Sequence, residues 1–139
     1  MPNGLNEGHL RRLSSGMVIV DSAITRMLDL LNGHAASTPM TAIEGAPSNE
    51  QGELLRESLQ KLRVLISALA EKYDLEPSKK QMRRMLMADA SQMWISLEDC
   101  RPSRMRGYGG IPQIEAVTLE SDLQRLLQTV NEIIQVLNP

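Results

Sequence analysis

Apolar residues recur at every third or fourth position along four long segments, and this spacing places them on one side of an α-helix. The regular part of the pattern covers residues 10–31, 55–73, 86–100 and 119–137. With the flanking residues, we predict helices over approximately 5–32, 49–73, 79–100 and 112–138. No segment alternates between apolar and polar residues as a half-buried strand does. We therefore expect an all-α protein, in which a single domain spanning residues 1–139 forms an up-down-up-down antiparallel four-helix bundle.

Local signals at the ends of these segments support the predicted helices. Residues 48–51 and 78–81 both read S-x-x-Q, the capping-box pattern in which each side chain bonds the backbone N–H of the other residue. Gly33 suits the left-handed position that follows many helices. Pro102 ends the third helix, because the residue before a proline is disfavoured in the helical conformation. Pro112 suits the first turn of the fourth helix.

The first predicted helix has more apolar surface than a corner of a bundle needs. A second stripe, made of Ile19, Ala23 and Leu30, runs beside its main apolar stripe. One stripe is enough to face a core. The helix is therefore either enclosed by the other helices or shared with a second copy of the chain, and we expect a homodimer.

The composition sets limits on the core and on the environment of the protein. The chain has no Phe and nine Met, so aliphatic and thioether side chains must fill the core. Its single Cys favours a reducing, cytoplasmic location over a disulfide-bonded one. No run of 18 apolar residues occurs, and we expect no association with a membrane.

Positive charge is concentrated in one stretch of the chain. Residues 78–110 have a net charge of +4, whereas the remainder carries −6 and the whole chain −2. Two explanations remain open at this point. Either basic and acidic helices attract each other within one bundle, or the positive stretch forms a surface for a partner.

The end of the third helix and the glycine-rich loop after it form the best candidate binding surface. Six side chains contribute to it: Trp94, Glu98, Arg101, Arg104, Arg106 and Tyr108. The first three lie at positions i, i+4 and i+7, on one side of a helix. Arginine binds carboxylates and phosphates through a planar fork. The alternative is an ordered end cap, in which Arg101 pairs with Glu98 or Asp99 and Tyr108 closes the end of the bundle.

A second basic cluster lies at the start of the third helix. It contains Lys79, Lys80, Arg83 and Arg84, and clusters of this kind favour contacts with phosphate groups. Nucleic-acid-binding proteins usually add aromatic stacking residues or a recognisable motif, and the sequence has neither. Nucleic-acid or phosphate binding is therefore the first alternative function.

Asp89 borders the apolar stripe of the third helix, so we predict a buried or half-buried carboxylate. Such a group needs a cationic partner, and Arg26 and Arg125 are the candidates on otherwise apolar faces. A structural pair is the simplest interpretation. A small enzyme that uses Asp89 and a nearby arginine is the second alternative function.

Other catalytic or metal chemistry has little support in the sequence. The two histidines, His9 and His34, have no partner at the helical spacing of a ligand pair, so we expect no metal site and no cofactor. Cys100 ends an apolar stripe, where a lone cysteine is usually a small buried hydrophobe. The favoured function is therefore a non-enzymatic interaction or regulatory module whose partner is an acidic protein.

Overall fold

The computed structural model describes residues 4–33 and 37–138. These residues form four α-helices: α1 (Glu7–Leu31), α2 (Asn49–Lys72), α3 (Met82–Asp99) and α4 (Gln113–Leu137). Two single turns of 3₁₀-helix, Pro102–Arg104 and Arg106–Tyr108, separate α3 from α4. The described part of the chain contains no β-strand. The predictions of an all-α protein and of four long helices are confirmed.

Reciprocal side-chain caps begin α1 and α2. At α2, Ser48 Oγ accepts a bond from the backbone N–H of Gln51 at 3.2 Å, and Gln51 Oε1 accepts one from that of Ser48 at 3.1 Å. The predicted capping box is therefore confirmed there. At α1, Asn6 Oδ1 accepts from the backbone N–H of His9 at 2.9 Å, while His9 Nδ1 accepts from that of Asn6. These bonds satisfy N–H groups that a helix start leaves without partners.

The predicted capping box at residues 78–81 does not form. The α3 helix begins at Met82, and Gln81 occupies its N-cap position without a side-chain cap bond. A helix starting at Ser78 would carry Lys79 and Lys80 in its first turn. The N-terminal end of a helix is the positive end of its dipole and disfavours cations. The later start leaves Arg83 and Arg84 in the first turn of α3, whereas a start at Ser78 would place these two arginines and both lysines in the first two turns.

The chain forms two compact units, residues 1–78 and 79–139. In the first unit α1 packs on α2, and Ile24, Leu59 and Gly52 are buried. Two arginines of α2 also bind α1. Arg56 donates to Leu31 O and Asn32 Oδ1, and Arg63 donates to Asp21 Oδ1, Asp21 O and Thr25 Oγ1.

In the second unit α3 packs on α4. Ala90 of α3 and three residues of α4, Leu123, Leu127 and Val130, are buried. A small residue such as Ala90 permits close approach of a neighbouring helix. All four residues lie on the predicted apolar stripes, so the sequence pattern identified the correct sides of these helices.

Burial is narrower than the sequence pattern indicates. Leu62 on α2 is 40% exposed and Met93 on α3 is 48% exposed, although both lie in the middle of predicted stripes. One neighbouring helix covers only part of an apolar stripe that spans roughly 100° of a helix. Each unit therefore presents apolar side chains beside its own buried residues.

The α1 helix ends as predicted, with Asn32 as its C-cap and Gly33 in the left-handed region at φ +73°. Farther along the connection, Thr38 and Thr41 exchange backbone hydrogen bonds across a tight turn. Among the described helices, none combines the length and apolar character required to cross a membrane.

Candidate functional site

The chain changes direction sharply where α3 ends. Cys100 caps the helix, and Arg101 takes an extended conformation (φ −60°, ψ 143°) immediately before Pro102. The two 3₁₀ turns follow and are closed by backbone bonds, from Arg104 N to Arg101 O at 2.8 Å and from Tyr108 N to Met105 O at 3.0 Å. We call residues 101–110 the arginine loop. Its path is fixed by these bonds and by the restriction that proline imposes on its predecessor.

Arg101 joins the end of α3 to α4 through two carboxylates. Its Nε and Nη2 donate to Glu98 Oε2 and Oε1 at 2.9 and 3.1 Å, and its Nη1 donates to Glu120 Oε1. Gln124 also donates to Glu120 Oε1, at 3.3 Å. The hydrogen bond to Glu98, helped by the negative charges of Glu120 and Glu98, raises the pKa of Arg101 above its usual value. We call Arg101, Glu98 and Glu120 the arginine clamp.

The clamp decides the role of two predicted binding residues. The side chains of Arg101 and Glu98 are 24% and 25% exposed, and both are occupied by internal bonds. This is the pairing expected for an ordered end cap. Trp94, one turn before Glu98, is half-buried. Sequence reasoning missed Glu120, whose only signal was its place beside the apolar stripe near the start of the fourth helix.

The other three predicted residues face solvent on the arginine loop. Arg104 and Arg106 are exposed, and neither forms an ion pair with any residue within 4–33 or 37–138. Tyr108 is 94% exposed, so it does not close the end of the helices within the α3–α4 unit. Met105 between them is half-buried. The loop therefore turns one side chain inward and presents two cations and a phenol outward.

A shallow groove of about 410 Å³ lies next to the arginine loop. Pro102, Ala116 and Val117 contribute apolar walls, and Arg101 and Glu120 of the clamp line it as well. Val117 is also widely exposed on the first turns of α4. The two exposed arginines of the arginine loop therefore lie in the same segment of chain as residues that line a partly apolar groove.

The second basic cluster is divided by the structure. Arg83 Nη1 donates to Leu137 O, the carbonyl of the last residue of α4, so Arg83 takes part in joining the two helices. Arg84 is exposed on α3, and Lys79 and Lys80 are exposed in the non-helical segment before it. The four residues therefore do not form the continuous basic face of a helix.

Within the α3–α4 unit, Asp89 is not buried as the sequence pattern predicts. Its side chain is exposed, and it lines two open apolar grooves on the surface of the α3–α4 unit. Arg125 is exposed on α4 and forms no ion pair with Asp89 in the described chain. Arg26, the other predicted partner, is an exposed residue of α1 in the first unit. The reason is that Asp89 lies at the margin of the α3 stripe, beyond the part that α4 covers.

The two histidines and the single cysteine have different places in the structure. His9 completes the α1 capping box, whereas His34 lies outside the described residues. Cys100 is exposed, contrary to the expected buried thiol. Over residues 4–33 and 37–138, no group of three His, Cys, Asp or Glu side chains is arranged to hold a metal ion.

Comparisons of the chain with protein-family models, with curated proteins and with solved structures find no match. The interpretation of this surface therefore depends on its own chemistry.

Proposed function

We propose that the protein is a non-enzymatic interaction or regulatory module that binds an acidic protein segment through Arg104, Arg106 and Tyr108. The observation that supports the proposal most directly is the exposure of Arg104 and Arg106, which have no carboxylate partner among the described residues, on a loop whose base the arginine clamp fixes. A loop whose conformation is already fixed before a partner binds loses little conformational entropy on binding.

The side chains on the loop suit a protein partner. Arginine and tyrosine are enriched among residues that dominate the energy of protein interfaces. Arginine binds a carboxylate through two parallel hydrogen bonds, and the groove beside Val117 offers room for an apolar residue of the same segment. An acidic peptide with one adjacent apolar side chain satisfies both features.

The proposal is tested by comparing affinity capture with the wild type and with an Arg104→Glu/Arg106→Glu variant. Reversing the same two charges at Arg11 and Arg12, exposed residues of α1, gives a matched control. We expect a specific acidic protein to be retained by the wild type and the control and lost by the loop variant. Capture that survives the loop reversal would contradict the proposal. So would capture of nucleic acid alone, abolished by Lys79→Glu/Lys80→Glu.

We also propose that the four helices assemble as an up-down-up-down antiparallel bundle in a single domain, and that the bundle is a homodimer. The bundle is supported by apolar side chains that each unit leaves exposed on its main stripes, among them Leu62 and Met93. The dimer is supported by Ile19 on the second apolar stripe of α1, which is 64% exposed. Exposed apolar groups gain free energy when they are covered, at about 25 cal/mol per Å².

A pair of substitutions on α2 tests this assembly. Leu62 and Val64 are both exposed within their unit, but they point in directions about 200° apart around the helix. If the bundle covers the Leu62 side, Leu62→Glu should lose several kcal/mol in the free energy of unfolding because it buries a charge. Val64→Glu should lose much less. Equal losses would contradict the bundle, and a monomeric mass by light scattering would contradict the dimer.

A further inference from the structure

The first unit contains a cavity at the end where α1 stops and α2 begins. Residues 43–47 and the two helices line an open cavity of about 440 Å³ at this end, and its wall residues remain partly exposed to solvent. Met27 and Leu30 of α1, Leu55 of α2 and Ile43 of the connection give it apolar walls. Pockets for small molecules generally measure roughly 300–1,000 Å³ and combine apolar walls with a few fixed polar groups.

The fixed polar group of this cavity is the guanidinium of Arg56. Its Nε donates to Asn32 Oδ1 at 2.9 Å, and its Nη2 donates to Leu31 O at 2.7 Å. Neither acceptor has a formal charge, although Leu31 ends α1 and its carbonyl therefore lies at the negative end of the helix dipole. Its Nη1 makes no hydrogen bond with a described residue and lies beside Gly52, 3.6 Å from where a Cβ would stand. Gly52 also lines the cavity.

Arg63, seven residues later on α2, shows what is unusual about Arg56. Both arginines connect α2 to α1 through two nitrogen atoms. Arg63 has a carboxylate partner, because its Nε lies 2.9 Å from Asp21 Oδ1. Arg56 has no carboxylate partner among the described residues. Of the two arginines, the one without an ion pair among the described residues is the one that lines the apolar cavity.

We propose that this cavity binds a small aliphatic monocarboxylate, with its hydrocarbon body against Met27, Leu30 and Leu55 and its carboxylate on Arg56 Nη1. A bond between a guanidinium and a carboxylate is roughly twice as strong as one between neutral groups. Glu44 also lines the cavity, and its negative charge disfavours a ligand with two charges, such as a phosphate. The ligand source is a branched fatty acid or an aliphatic amino acid, which share the carboxylate and the hydrocarbon.

Binding is measured by NMR on the full chain labelled with ¹³C at the methionine methyl groups. Met27 reports on the cavity, and Met93 of the second unit serves as an internal reference. The probes are 4-methylpentanoate, L-leucine, which has the same carbon skeleton and an added amino group, and 4-methylpentan-1-ol, which lacks the charge. We expect a saturable shift of Met27 and not of Met93. The alcohol should bind at least about tenfold more weakly than the acid because the charge-assisted bond is lost.

Two substitutions complete the test. Arg56→Gln should weaken the binding of 4-methylpentanoate by at least about tenfold. Arg63→Gln, the matched control, should leave the affinity for 4-methylpentanoate unchanged. Glu44→Gln separates the ligand sources, since it should weaken L-leucine only if the amino group pairs with Glu44. If Arg56→Gln does not fold, the affinities of the wild type for 4-methylpentanoate and for 4-methylpentan-1-ol still test the role of the charge. The proposal is overturned by the absence of a saturable Met27 shift, by equal affinity for acid and alcohol, or by wild-type binding in a folded Arg56→Gln variant.

Discussion

The two units join their helices by different means. In the first, Arg56 and Arg63 of α2 reach across to backbone and side-chain oxygens of α1, and each helix buries one large side chain, Ile24 and Leu59. In the second unit, α4 alone buries three apolar side chains. Polar bonds between α3 and α4 are found near the ends of the two helices.

This difference shows that two helices can be joined mainly by buried apolar side chains or by long polar side chains as well. Ala90 in the middle of α3 leaves room for the large side chains of α4, so apolar contact carries the middle of the second unit. The first unit buries Gly52 and one large residue on each helix, Ile24 and Leu59, and two long arginine side chains of α2 bond across to α1. Arginine covers apolar surface with its hydrocarbon stem while its head group forms hydrogen bonds. We therefore expect the second unit to depend most on its apolar core, and the first to depend more on polar groups.

The largest effect is expected for Leu127→Ala in the second unit. Leu127 is 2% exposed, and truncation of a buried leucine costs about 2–5 kcal/mol in the free energy of unfolding. Urea denaturation measures the loss, and amide hydrogen exchange locates it in α3 and α4. Ile95→Ala is the control, because Ile95 is 52% exposed on the same unit and should change stability far less. Similar losses for both variants would contradict the assigned core.

A smaller effect is expected for Arg101→Gln, which removes the clamp between α3 and α4. The melting temperature should fall less than for Leu127→Ala. Arg104→Gln, on the same loop but with no ion pair in the described part of the chain, should leave it unchanged. In the first unit, Arg63→Gln should cost about 0–1 kcal/mol, as exposed ion pairs do. An Arg101 variant as stable as the wild type would show that the clamp contributes nothing.

The pKa of Arg101 also predicts how the clamp responds to pH. Because its pKa is raised in the folded protein, its contribution is complete below the unfolded pKa. That contribution is lost only as the pH rises through the still higher folded value. Deprotonation of Arg101 therefore adds no pH dependence near neutrality. A loss of stability near neutral pH that disappears in Arg101→Gln would contradict this expectation.

The smallest effect on stability is expected for loss of the side-chain cap at the start of α2, which is absent at the start of α3. Ser48→Ala removes a side-chain cap and should cost about 1 kcal/mol. Ser78→Ala is the matched control, because the same sequence motif forms no cap there, and its stability should equal that of the wild type. A measurable cost at Ser78 in thermal or urea denaturation would show that the motif caps α3 in solution.

Much of the candidate surface was predictable from residue types. Which of its residues form internal bonds and which stay exposed was not predictable. The sequence identified the arginine loop because glycine, proline and arginine break the helical pattern there. It did not separate Arg101 from Arg104, since both are arginines of one loop. Only the approach of α4 brings Glu120 to Arg101 and leaves Arg104 exposed. The Arg56 cavity was missed entirely, because its walls come from two helices and a connection without periodicity.

The sequence by itself determined the four helices and the side of each that packs, because spacing and cap residues act over three or four positions along one helix. Ile24, Leu59, Ala90 and Leu127 all follow from it. Tertiary structure decided how much of each apolar stripe is covered and which charges meet. Met93 shares one stripe with Ala90 and Asp89 borders that stripe, yet both are exposed. Coverage depends on where a neighbouring helix lies in space, and periodicity along a single helix does not specify that position.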